Sequence, residues 1–141
     1  MKTRSARHAT FRVFAVAALA ACARPHPAVR ISEPADDATV SGPAVRVVLE
    51  VSGVELAPAG EQRPGTAHHH LFLDVDPPPA GEVVPVGVPG VIHLGKAQTE
   101  FTFDSVAPGR HRIIAVLADP SHVALPNAVR DTVFVTVGAT P

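Results

Sequence analysis

Thr66-Ala67-His68-His69-His70-Leu71-Phe72-Leu73-Asp74-Val75 is the stretch that decides the fold. Successive side chains of an extended strand point to opposite faces. A strand from His68 to Val75 therefore puts His69, Leu71, Leu73 and Val75 on one side. His68, His70, Phe72 and Asp74 fall on the other. The first set is the more apolar and is expected against the core. The same two-residue period appears upstream in Val45-Arg46-Val47-Val48-Leu49-Glu50-Val51, where the odd positions are apolar and Arg46 and Glu50 lie opposite. It returns in Thr99–Phe103, with Phe101 and Phe103 inward, and in Arg130–Val137, with Val133, Val135 and Val137 on one face. No sustained helical period or internal repeat occurs.

Between these runs the chain turns. Val29–Ser32 reads as a first edge strand, and Pro34-Ala35-Asp36-Asp37-Ala38 as a turn. Gly53–Gly65 is a polar connection. Asp76-Pro77-Pro78-Pro79 cannot continue a ladder, because proline has no N–H to donate, so a long loop runs to Gly90. Val91–Leu94 is a short apolar piece. His111–Ala118 is a strongly apolar strand, placed centrally, and Asp119–Asn127 is a loop carrying His122. Six to seven short strands separated by turns predict an all-β fold, an immunoglobulin-like antiparallel β-sandwich, as a single domain over residues 29–138. Pro108-Gly109-Arg110-His111, running into an apolar strand and Asp119, resembles the penultimate strand of bacterial immunoglobulin-like domains. His111 there takes the place of a corner tyrosine.

The N-terminus reads as a targeting segment. Lys2, Arg4, Arg7 and Arg12 precede the apolar run Val13–Leu19, which is too short to span a bilayer, and Leu19-Ala20-Ala21-Cys22 follows. This order resembles a bacterial lipoprotein signal, with residues 1–21 removed, Cys22 lipidated and residues 22–28 serving as a tether. The expected location is the periplasmic face of the bacterial cell envelope, with the outer membrane favoured. Four of the 12 Lys and Arg residues leave with the signal, while all 13 Asp and Glu residues stay. The remaining acidic chain has no basic patch to neutralise phosphates, so nucleic acid is not an expected partner. Cys22 is the only cysteine. Its lipidation leaves no thiol for a disulfide or a nucleophile.

Three blocks resemble the secreted bacterial "domain of unknown function 4399" family. They are His68-His69-His70-Leu71-Phe72-Leu73-Asp74, His93-Leu94-Gly95-Lys96-Ala97-Gln98-Thr99-Glu100, and Pro108-Gly109-Arg110-His111 continuing to Asp119-Pro120-Ser121-His122-Val123. The resemblance implies an extracytoplasmic β-rich domain in which the histidine blocks form a common site. The chain departs from the family pattern at Ala97, where glycine is usual, and at Leu125, where a second loop histidine is common. The latter change removes one potential ligand.

The leading chemical reading is a metal. His68 and His70 project from one strand face about 7 Å apart. They can share an ion if another segment brings His93, His122 or Asp74. Imidazole with carboxylate suits copper or zinc. Four imidazoles can serve one ion only if their nearest nitrogens come within about 5 Å of one another. The alternative is a metal-free immunoglobulin-like interaction module docking another envelope protein, with the histidines as a structural network. A hydrolase-type enzyme is the reading with least support. No Gly-x-Ser-x-Gly elbow, phosphate loop or dinucleotide fingerprint occurs, and Ser105 and Ser121 lack nucleophile context.

Around that site the readings divide. His69 belongs with the core face as a hydrogen-bonded interior histidine, and His111 with a corner bonded to backbone; the alternative for both is a place beside Asp74, supporting a metal or polar ligand at the site. Asp74 orients a histidine or simply ends its strand. Asp119 turns the chain. Lys96, Gln98 and Glu100 alternate on one face, as a polar-ligand site beside the histidines or as a solvated surface.

Overall fold

The computed structural model describes residues 25–139. The signal segment, Cys22 and the first residues of the tether lie outside the described residues. Among the described residues nine strands follow in order: β1 (Ala28–Glu33), β2 (Ala38–Val40), β3 (Val45–Ser52), β4 (Glu55–Leu56), β5 (Thr66–Leu73), β6 (Val91–Leu94), β7 (Glu100–Phe103), β8 (Gly109–Ala118) and β9 (Asp131–Val137). They form two sheets. One is β1-β3-β7, and the larger runs β2-β9-β8-β5-β4, with β6 also paired to β5. β5 thus meets β8 along one edge and shares its other edge between two partners. Thr66 and Ala67 pair with β4, and His69 to Phe72 with β6.

The main core lies between the sheets. Val29, Ile31, Val45, Val47 and Leu49 from the small sheet meet Ala67, Leu71, Ile113, Ala115, Leu117, Val133, Val135 and Val137 from the large one. The alternation expected for β3, β5 and β9 is the one observed. A second cluster covers the opposite face of the large sheet: Phe72, Val84, Val91, Ile114, Val116, Ala118 and Ala124. The long loop through Val84 and the loop after β8 supply its roof. Both faces of β8 are consequently buried from Ile113 to Ala118, which accounts for its unbroken apolar run.

The two short strands β2 and β4 are additions to the expected set. Each pairs in parallel, β2 with the distant β9 and β4 with the next strand, β5. Spans of three and two residues carry no readable alternation, and pairing with a longer strand creates them. β5 begins and ends two residues earlier than expected, because Asp74 adopts φ 59° and leaves the extended region. The face assignment holds from His68 to Leu73, but Val75, expected on the core face, packs against the second cluster instead, because the left-handed Asp74 breaks the alternation before it. Lys96, Gln98 and Glu100 do not alternate along one strand, which corrects the sequence expectation. Lys96 and Gln98 sit in a turn closed by Lys96 N–H donating to Gln98 Oε1 at 2.7 Å. Only Glu100 enters β7, where it pairs with Arg46 at 2.6 Å.

That turn holds Ala97 at φ 60°. A Cβ in the left-handed region costs roughly 1–2 kcal/mol, partly offset by the greater backbone freedom that glycine has when unfolded. Ala97→Gly is therefore expected to stabilise the domain by about 0.5–1 kcal/mol, a rise of roughly 2–4 °C in melting temperature. A calorimetric scan showing a lower melting temperature would contradict this.

Candidate metal centre

β5 alternation turns His68 and His70 together onto the outer face of the large sheet, beside Phe72. Both are fully buried. His93 arrives as the cross-strand partner of His70 on β6, its ring stacked on that of His70 at 5.0 Å between centroids. His122 comes from the roof. Its loop is a tight turn built on Asp119, whose Oδ1 accepts Ser121 N–H and Val123 N–H at 2.8 and 2.9 Å. His122 N–H donates to the Asp119 carbonyl, and Asp119 N–H to the Val123 carbonyl, both at 2.9 Å. His122 itself adopts φ 65°. The long loop ties down the same turn through Val84 N–H to His122 O at 2.7 Å.

Four imidazoles therefore converge from three separate elements, with one ligand atom from each lying within 4.8 Å of all the others. Two contacts are short: Nε2 to Nε2 at 3.0 Å between His68 and His70, and 3.1 Å between His122 and His93. The Nδ1 atoms of His68 and His70 are buried with no protein hydrogen-bond partner. Burial pushes the His68 imidazole down to about 4 and the His70 imidazole down to about 3, with the neighbouring histidines acting in the same direction. Burial also lowers His93, with His122 adding to it. Burial thus holds His68, His70 and His93 in the neutral form at physiological pH, with lone pairs available for a cation.

The other candidates are placed elsewhere. His69 turns between the sheets, where its Nδ1 meets the Gln98 carbonyl at 2.9 Å and its Nε2 has no protein partner. Burial lowers its pKa, partly countered by that carbonyl. Asp74 does hold a histidine, but it is His111 and not one of the four. His111 Nδ1 donates to Asp74 Oδ2 at 2.6 Å and Nε2 to the Ala107 carbonyl at 2.8 Å. With an acceptor at each nitrogen the ring is suited to the doubly protonated form. Its pKa is raised, chiefly by the bond to Asp74. Arg112 N–H donates to the other oxygen of Asp74 at 2.8 Å. Asp74 thus anchors the start of β8 and contributes nothing to the four-imidazole set. Glu100 lies on the small sheet and Lys96 is exposed, so neither completes a ligand shell. Leu125 packs against the main core.

The fold and the cluster together define a two-sheet immunoglobulin-like β-sandwich carrying four converging imidazoles on one outer face, a set that could hold a metal ion. The chain belongs to the family described as Domain of unknown function (DUF4399), which matches residues 47–138. All four histidines fall within that span. No curated protein matches the chain. Among solved structures it is similar to an engineered protein at 16% identity and a TM-score of 0.49, covering 83% of this chain and 21% of that one. It is likewise similar to the fibronectin(III)-like modules of Clostridium thermocellum CbhA at 16% identity and a TM-score of 0.48, covering 80% of this chain and 99% of that one. The chain spans about a fifth of the engineered protein's length.

Proposed function

We propose that this protein is a lipid-anchored cell-envelope protein that binds one transition-metal ion, copper or zinc, through His68, His70, His93 and His122, without catalysis. The observation that supports this most is the convergence of four imidazoles within 4.8 Å, two of them fully buried. At a zinc–imidazole distance of about 2.0–2.1 Å, tetrahedral ligands stand about 3.3 Å apart. The two short Nε2 pairs at 3.0 and 3.1 Å are close to that spacing, and small ring rotations bring in the rest. Nitrogen donors without thiolate or carboxylate suit copper(II) or zinc better than calcium or magnesium. Four protein ligands fill a tetrahedral shell, whereas hydrolytic zinc sites keep one position open.

A metal-free interaction module docking another envelope protein is the rival reading, with the histidines as a hydrogen-bonded network. Its bonds would be the Nε2 contacts of His68 with His70 and of His122 with His93, and the buried Nδ1 atoms of His68 and His70 lack protein partners in either reading. Titration of the EDTA-treated protein with zinc and with copper(II) tests the metal reading. One ion per chain is expected, with stabilisation of about 2.7 kcal/mol at a free-ion concentration one hundred times Kd. Failure to retain either ion after desalting, with an unchanged melting temperature, refutes it. The anchor is tested separately, since Cys22→Ala is expected to move the protein from the membrane fraction to a soluble or unprocessed form.

A further inference from the structure

We infer that Gly95 is a positioning residue for the candidate metal centre, holding the site at four ligands by leaving room for the His93 ring. The inference rests on the metal reading above. The His93 imidazole lies against the backbone of Gly95, two residues on. A Cβ at Gly95 would overlap Cε1 and Nε2 of that ring and stand 3.1 Å from its Nδ1. Nε2 is the atom that faces His122 Nε2 at 3.1 Å. The conflict is therefore with the ligand atom itself. It is also purely steric, because Gly95 is not among the glycines at positive φ. Alanine fits the local backbone, and the Gly95 carbonyl can still accept Ala59 N–H at 3.0 Å.

His93 is the ligand most dependent on such a cradle. It is the exposed member of the set, on a four-residue edge strand. His68 and His70 are locked by burial on β5, and His122 by the Asp119 turn. In Gly95→Ala the ring must swing away, and three imidazoles remain around a position open to solvent. A closed four-ligand site thereby becomes a three-ligand site that can take an outside ligand.

Cobalt(II) reports the difference through its visible spectrum, with sodium azide as the outside ligand and Gly60→Ala as the control. A Cβ at Gly60 would meet nothing within 4 Å, and the residue lies outside the cluster. Wild type and Gly60→Ala are expected to bind cobalt with a spectrum that azide leaves unchanged. Gly95→Ala is expected to bind about 10–100-fold more weakly, as when a supporting partner of a metal ligand is lost, and its spectrum should shift on adding azide. In the metal-free protein, Gly95→Ala should lower the melting temperature when His93 is present and have little effect in a His93→Ala background. Such non-additivity marks a direct contact, and the double variant has room to fold. Cobalt uptake, azide response and melting temperature all matching wild type in Gly95→Ala would overturn the inference alone. A wild-type protein that takes up no cobalt, zinc or copper would overturn the metal reading, and the positioning role with it.

Discussion

Replacing His68 and His70 together by leucine is expected to make the metal-free protein more stable while abolishing its stabilisation by copper or zinc. The two rings are fully buried, and each leaves Nδ1 without a protein partner. An unsatisfied buried polar group costs about 1–3 kcal/mol, and exchanging both members of a polar pair for apolar groups of similar size removes that cost. Both members must change, because removing one alone strands the Nε2 of the other, now 3.0 Å away. The leucines would extend the existing outer cluster of Phe72, Ile114 and Val116. A gain of about 1–3 kcal/mol corresponds to several degrees in melting temperature for a domain of this size. Thermal melts with EDTA and with added zinc distinguish the readings. If the histidines are a structural network, the double variant melts lower than wild type in EDTA, and the metal proposal loses its main support. A site that lowers apo stability is what selection for ligand binding produces.

Acid should destabilise the metal-free protein steeply below about pH 6.5. In the unfolded chain each cluster histidine binds a proton near that ordinary value. In the folded chain His68 resists protonation down to about 4 and His70 down to about 3. Between these limits the unfolded state holds more protons than the native state, so stability falls as pH falls. Each such histidine contributes a slope of about 1.4 kcal/mol per pH unit. Two of them over about two units remove an amount comparable to the lower end of total domain stability, about 5 kcal/mol. His69 and His93 are lowered too and add in the same direction.

The His111–Asp74 pair acts in the opposite sense. His111 is raised, so its contribution is complete below pH 6.5 and is lost as pH rises through the raised value. Asp74 is lowered, so its contribution is present above its ordinary value of 3.8 and disappears as pH falls through the lowered one. Asp74 is exposed and its side of the pair is open to solvent. The pair is worth at most about 1 kcal/mol and cannot cancel the cluster. Urea melts in EDTA at pH 7.5, 6.0, 5.0 and 4.5 measure the balance. Equal unfolding free energies across that series would show that His68 and His70 are not buried as neutral groups. Bound metal should shift the decline to lower pH, because the ion competes with protons for the same lone pairs.

Much of this architecture is written in local pattern. Val45–Val51 and Val133–Val137 could bury one face only as strands, and the proline run at Asp76–Pro79 had to be loop. The division of the histidine triplet followed from the two-residue period alone: His69 inward, His68 and His70 outward. Elements without a local pattern were not visible. β2 and β4 exist because longer strands, β9 and β5, supply their hydrogen bonds. The apparent alternation of Lys96, Gln98 and Glu100 was misleading, since a turn with Ala97 in the left-handed region breaks it.

By itself, then, the sequence determined the strand periods, the side of β5 on which each histidine falls, and the set of imidazoles available. Only the tertiary structure decided which of them meet. The pairing of His70 with His93 is a register between strands. The approach of His122 depends on an Asp119-centred turn lying over the outer face of the sheet, and the His93 ring is seated by the missing side chain of Gly95. Asp74 was diverted to His111 by the pairing of β5 with β8. A strand period is set between adjacent residues, whereas a four-ligand shell is set by register, loop packing and steric room among segments far apart in the chain.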